Sequence, residues 1–151
     1  MKPLLLSFAC LFLVFSVAAQ KYNPDKINKK AKAIYDLAIQ RAEEGAYPDA
    51  VKLLDQAIAA DKNFVDAYLS RAGIQGEMRN HKGAVQDYEK AFALDSAYTH
   101  DYKLPYSINL AGTGDFVKAL EAVDDFSMDP TLGDRSRKAA EYRRKSFEFA
   151  L

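Results

Sequence analysis

The stretch Gly45-Ala46-Tyr47-Pro48-Asp49-Ala50-Val51, running on to Leu54, Ala57-Ile58 and Asp61, decides how this chain folds. It returns 34 residues later as Arg79-Asn80-His81, Ala84-Val85, Tyr88, Ala91-Phe92 and Asp95. After a further 35 it returns as Gly114-Asp115-Phe116, Ala119-Leu120, Val123, Phe126 and Asp129-Pro130. In each copy a small residue is followed four positions on by a bulky one, so both lie on one helix face. The face sets an Ala against the neighbouring helix and a large side chain beside it. A period near 34 built from two short helices is the signature of a helical solenoid. Such a unit cannot bury its apolar face alone, so units must stack.

The pattern resembles the tetratricopeptide repeat. In the first copy Leu37, Ala38, Tyr47, Ala50, Leu54 and Ala57 match, while Arg41 and Lys62 depart from the usual bulky residue and Pro. In the second, Ala72, Ala84, Tyr88 and Ala91 match, and Gln75, His81 and Ser96 depart. In the third, Tyr106, Leu110, Gly114, Phe116, Ala119 and Val123 match; Ser107 and Phe126 depart, and Pro130 arrives one residue early. The resemblance covers about residues 31–131. It implies an all-α, right-handed superhelical solenoid of about three helix pairs plus a C-terminal capping helix. The expected layout is a lead over 20–30, repeats over 31–64, 65–99 and 100–132, and the cap over 133–151.

Residues 1–19 read as a secretory signal peptide. Lys2 supplies the positive start, Leu4 to Val17 the apolar run, and Val17-Ala18-Ala19 a small-residue exit before Gln20. Leu4 to Ala19 is only 16 residues, shorter than the ~20 that a spanning helix needs. The expected address is across the inner membrane, in the periplasm or at the outer-membrane periphery. Cys10, the one cysteine, falls inside the leader, so thiolate chemistry and disulfides are not expected of the mature chain. Lys+Arg and Asp+Glu both number 21. That balance argues against a nucleic-acid partner, which would call for a basic face.

Taken in order, Asn23-Pro24 is read as the start of a helix that runs to about Glu44 and is stopped by Gly45. Pro48 falls in the first turn of the next helix, which runs to about Ala60. A third helix is expected from about Phe64 to Met78; its Gly73 and Gly76 are read as points of close helix approach rather than an opened groove. Arg79 stands where the sister repeats have Gly and would strain in a left-handed turn. Asn80 is the candidate cap of the fourth helix, which ends near Leu94. Pro105 predicts a late start for the fifth helix, between Lys103 and Pro105. Asp115 is a candidate cap for a helix over Phe116 to Phe126. A last helix over about 134–150 is expected to pack Tyr142, Phe147 and Phe149 on the third repeat and show its basic side to water.

Catalytic and metal motifs are missing from the sequence. There is no P-loop, no Gly-x-Ser-x-Gly and no His-Glu-x-x-His. His81 and His100 are 19 residues apart with no paired ligand pattern. No enzyme, cofactor, metal or small-molecule substrate is expected. In the family it resembles, the first helix of each pair lines a concave groove. Carried over site by site, the groove residues are Tyr35, Ile39 and Glu43; then Asp66, Leu69, Gly73 and Glu77; then Leu104, Ile108 and Gly112. This apolar, acid-edged surface suits a helix or extended peptide with apolar anchors and a basic flank. Family members that clamp a C-terminal carboxylate place several basic side chains in the groove. Here only Lys32 is comparable, and Asp66 and Asp101 take the later places, so chaperone-tail binding is not expected.

The layout also resembles the N-terminal region of a Bacteroidetes cell-envelope family. The shared features are a leader ending Ala-Ala-Gln, the repeats, an Ala-Leu-Glu-Ala…Asp-Pro stretch, and a basic helix ending Phe-Glu-Phe-Ala. Members continue into a beta-propeller-like region and an OmpA-like peptidoglycan-binding domain, and some are associated with type IX secretion and gliding. Nothing here matches those later domains, so the chain is expected to be either a fragment or a short adaptor. The functional expectation is a non-catalytic adaptor that binds a protein or peptide, with envelope or secretion machinery as partner. The alternative is an assembly module that homodimerises through the groove or the last helix.

Overall fold

The computed structural model describes residues 21–151; the expected leader, its cleavage point and Cys10 lie outside the described residues. A 3-10 turn over Pro24–Lys26 precedes α1 (Lys29–Glu43), α2 (Tyr47–Ala60), α3 (Val65–Glu77) and α4 (His81–Leu94). A second 3-10 turn, His100–Tyr102, leads into α5 (Lys103–Gly112), α6 (Phe116–Ser127) and α7 (Asp134–Phe149). No strand occurs among the described residues. The helices pack in chain order: α1 on α2, α2 on α3, α3 on α4, and so on to α7 on α6.

The sequence repeat is a repeat of backbone chemistry. α1, α3 and α5 each end on a left-handed residue: Gly45 at φ 77°, Arg79 at φ 60° and Gly114 at φ 88°. In all three, two hydrogen bonds close the helix end. Ala46, Asn80 and Asp115 donate their N–H to Arg41, Gln75 and Leu110, at 2.8–3.1 Å. Gly45, Arg79 and Gly114 donate to Ala42, Gly76 and Ala111, at 2.9–3.0 Å. These satisfy carbonyls that the helix leaves without a partner and fix the reversal into the next helix. Asn80 and Asp115 then cap that helix, accepting from the Gly83 N–H at 3.3 Å and the Lys118 N–H at 3.1 Å. Pro48 sits in the first turn of α2, and α5 begins at Lys103, so Pro105 costs it no internal hydrogen bond.

The beginning of the chain departs from expectation. One helix from Asn23 was expected; instead the chain breaks at Ile27, which is extended at ψ 141°. Asn28 then caps α1, accepting from the Lys30 and Ala31 N–H groups at 2.8 and 3.4 Å. Its own N–H donates to Asp61 at 3.0 Å. A second cap five residues into the pattern outcompetes continuation, because Asp61 on the neighbouring loop rewards the break. The lead is then free to run across the stack to α3 and α4.

The core lies in two clusters. One is built by α1 to α4 around Leu54, Val65, Ala57, Ala72, Tyr88 and Ala91. The other joins α5, α6 and α7 through Leu110, Val123, Phe126, Ala140 and Phe147. Tyr106 packs against both. Between them stands a row of rings: Tyr106 meets Phe92 at 5.1 Å and Tyr88 at 6.1 Å, both edge-on, a favoured aromatic geometry.

α7 also departs from expectation. Phe147 and Ala140 pack inward, but Tyr142 is 67% exposed and Phe149 95%. At 3.6 residues per turn, 142 and 149 point almost opposite to 140 and 147. One helix face touches α6; Ala140 and Phe147 occupy it, so Tyr142 and Phe149 are left outward.

Candidate binding groove

α3 sets the axis of the site. Asp66, Ser70, Gly73 and Glu77 follow one another at helical spacing and form a single row. The Tyr35 hydroxyl lies 3.0 Å from Ser70 Oγ, which brings the corresponding face of α1 beside that row. Tyr35 is held by its ring against Phe64, at 4.9 Å. Ile39 and Ile108 are half-buried yet pack against neither core cluster, and Glu43 and Glu77 are exposed. Ile39 and Glu43 follow Tyr35 at helical spacing on α1, and Ile108 directly precedes Asn109, the α5 residue that reaches Gly76.

Gly73 and Gly76 have opposite roles. A Cβ on Gly76 would stand 3.0 Å from Asn109 Oδ1, so α3 and α5 do approach closely there. A Cβ on Gly73 would meet nothing within 4 Å. Close packing therefore explains Gly76 and not Gly73, where the missing side chain leaves the row open. Gly112 belongs to the junction between repeats: a Cβ there would fall 2.5 Å from the His81 ring, which itself hydrogen-bonds Asn109 at 3.0 Å. Leu69 is only 3% exposed and packs in the first core cluster, so it supports the groove wall rather than facing a ligand. Leu104 is half-buried against the second cluster.

Asp66 is already engaged. Its two oxygens accept from the Tyr22 and Tyr98 hydroxyls, each at 2.8 Å, and the two rings meet edge-on at 4.8 Å. Tyr22 also donates its N–H to Asp95 at 2.7 Å. Burial, then the bond to Asp66, pushes the Tyr22 and Tyr98 hydroxyls well above the ordinary tyrosine range, so both stay protonated donors. The N-terminal lead thus covers Asp66, the first residue of the α3 row. Repeat spacing does not reveal this, because Tyr22 lies outside the period. Its partners are 44 and 73 residues away.

Beneath the groove a polar network ties three helices. Arg71 donates to Asp87 through Nε at 2.7 Å and Nη2 at 2.5 Å, and to Asp55 through Nη1 at 2.5 Å. Gln75 Nε2 donates to Asp87, and Asn80 Nδ2 to Gln75 Oε1. Bonding to Asp87 raises the Arg71 guanidinium above its ordinary range, so it is a permanent cation. Gln75, a departure from the repeat pattern, is explained by this network. Lys32, the one basic groove side chain, is paired with Asp36 at 3.1 Å. His100, Asp101 and Asp129 bring ligand-type atoms within 4.8 Å of one another. The other Asp129 oxygen accepts from the Thr131 N–H and hydroxyl at 2.7 Å, so this carboxylate serves as a turn cap.

No protein-family model matches the sequence, and no curated protein matches it. Solved structures do share the fold. The chain is similar to the type III secretion chaperone SycD of Yersinia enterocolitica in complex with a peptide of the translocator YopD. The identity is 14%, the TM-score 0.71, and the match covers 84% of this chain and 98% of that one. It is similar to the TPR2B domain of yeast Sti1 in complex with Hsp70, at 16% identity, TM-score 0.72, and 82% and 100% coverage. The Sgt2 TPR domain from Aspergillus fumigatus matches at 18% identity, TM-score 0.71, and 82% of each chain. The chain therefore has a tetratricopeptide-repeat fold.

Proposed function

We propose that this chain is a non-catalytic adaptor of the cell envelope that holds a protein segment in the groove along α3. The observation that carries the reading is the row Asp66–Ser70–Gly73–Glu77, open at Gly73, together with half-buried Ile39 on α1 and Ile108 on α5, which neither core cluster uses. Two of the structures that share the fold hold a peptide or partner, the translocator segment in SycD and Hsp70 in Sti1, which supports a binding role for the same scaffold. The expected ligand differs from a chaperone tail. With Lys32 paired and Glu43 and Glu77 at the edges, the groove favours apolar anchors next to cations over a free carboxylate. The envelope address rests on the leader-like first 19 residues.

Display selection of peptides on the purified chain, followed by titration, tests the reading. Gly73→Arg fills open space and should keep the helical signal while weakening capture at least about tenfold, or ~1.4 kcal/mol. Glu77→Lys should weaken selected basic peptides in the same direction. Selected peptides that bind both variants as tightly as the parent chain would refute the groove as the site.

A further inference from the structure

The outward face of α7 carries a pattern that the cap does not require. Arg135, Lys138, Tyr142, Lys145 and Phe149 follow one another at spacings of three, four, three and four residues. That spacing puts all five along one seam of the helix. All five are exposed, and they lie opposite Ala140 and Phe147, which hold α7 to α6. The seam contains three cations, two aromatic rings and no acid. Lys145 alone is paired along the helix, with Glu141 at 2.7 Å. The Arg143 guanidinium sits 5.7 Å from the centre of the Tyr142 ring, at the seam's border.

Charge is divided between α7 and the rest. α7 holds six basic and three acidic side chains, whereas residues 21–133 hold fourteen basic and eighteen acidic. An acidic body with a basic end attracts copies of itself end to body. It also disfavours an anionic bilayer, which the body would repel. The proposed groove offers the complementary chemistry: exposed Glu43 and Glu77, half-buried Ile39 and Ile108, and open space at Gly73.

We infer that the groove of one copy receives the α7 seam of a second copy, with the two aromatic rings as anchors and Arg135, Lys138 and Lys145 meeting the carboxylate edges. This rests on the groove reading above and names one occupant for it. Because the contact joins two different surfaces, it adds copies progressively unless the geometry closes it.

The test is a charge exchange followed by analytical ultracentrifugation of the purified full chain. The unaltered chain should associate with rising concentration at low salt and dissociate at high salt, where screening shortens the reach of charge. Arg135→Glu with Lys138→Glu should be monomeric, and so should Glu43→Lys with Glu77→Lys. An equimolar mixture of the two variants should regain association, because each supplies the half the other lacks. A monomer for the unaltered chain under all conditions overturns the inference. So does association that survives the groove variant. Binding of phosphatidylglycerol vesicles that is lost in the α7 variant, without self-association, would assign the seam to a membrane and also overturn it. The α7 variant should still capture the display-selected peptides. If it does while the unaltered chain does not self-associate, this inference falls and the groove reading stands; if the Glu43→Lys, Glu77→Lys variant captures them unchanged, the groove reading falls too.

Discussion

Arg79 occupies a backbone position that glycine fills in both sister repeats. At φ 60° its Cβ crowds the following carbonyl, a cost of roughly 1–2 kcal/mol, while glycine would lose more chain entropy on folding, roughly 0.5–1 kcal/mol. Strain exceeds entropy, so Arg79→Gly should stabilise the fold by roughly 0.5–1 kcal/mol, read as a higher urea midpoint with an unchanged slope. Asp87 lies at the other extreme. It accepts three hydrogen bonds from Arg71 and Gln75 while nearly buried. Asp87→Ala leaves those donors without their acceptor and should cost about 3 kcal/mol. A chemical melt of that variant losing less than ~1 kcal/mol would show that Asp55 and water replace the lost acceptor.

Elements are coupled by the N-terminal lead, which no repeat contributes. The N–H groups of Tyr98 and Tyr22, in that order, hold the Asp95 carboxyl below the usual carboxylate range. A folded-state pKa lowered in this way stabilises the latch above the unfolded value, near 3.9, and the stabilisation disappears as pH falls through the lowered value. The latch should therefore be closed at neutral pH and open in acid, with amide exchange at Tyr22 accelerating before α3 and α4 lose protection. Asp95→Asn should expose Tyr22 to exchange at neutral pH. Equal Tyr22 protection in that variant would mean that the bond to Asp66 alone closes the latch.

Across the whole molecule, the division of the core controls cooperativity. α1 to α4 share one cluster, α5 to α7 another, and Tyr106 touches both. In a solenoid, stability is a sum of unit and interface terms, so the weakest interface sets where the stack parts. The junction also holds polar and glycine contacts, His81 with Asn109 and Gly112, which contribute little apolar burial. Tyr106→Ala removes the bridging ring and should destabilise the third pair by about 3 kcal/mol. Hydrogen exchange should then show α5, α6 and α7 opening before α1 to α4. Uniform loss of protection along the chain would mean that the two clusters still unfold as one unit.

The sequence by itself determined the helix pairs, their reversals and their order, because those depend on local chemistry: a left-handed residue at each first-helix end, Asn80 and Asp115 as caps, Pro48 and Pro105 in first turns. The stripe proposed as a groove was carried over from the resemblance to the tetratricopeptide repeat, and helical spacing assigns its residues to faces. What the sequence did not carry is which member of a face is covered. Leu69 and Gly73 both stood as groove sites, yet one is buried and the other open. Gly112 is filled by His81, and Asp66 is claimed by Tyr22 and Tyr98. Tyr142 and Phe149 are left outward once Phe147 takes the face against α6. Each of these outcomes needs contacts between segments far apart in the chain, and only the packed tertiary structure decides which of two competing side chains reaches the shared space.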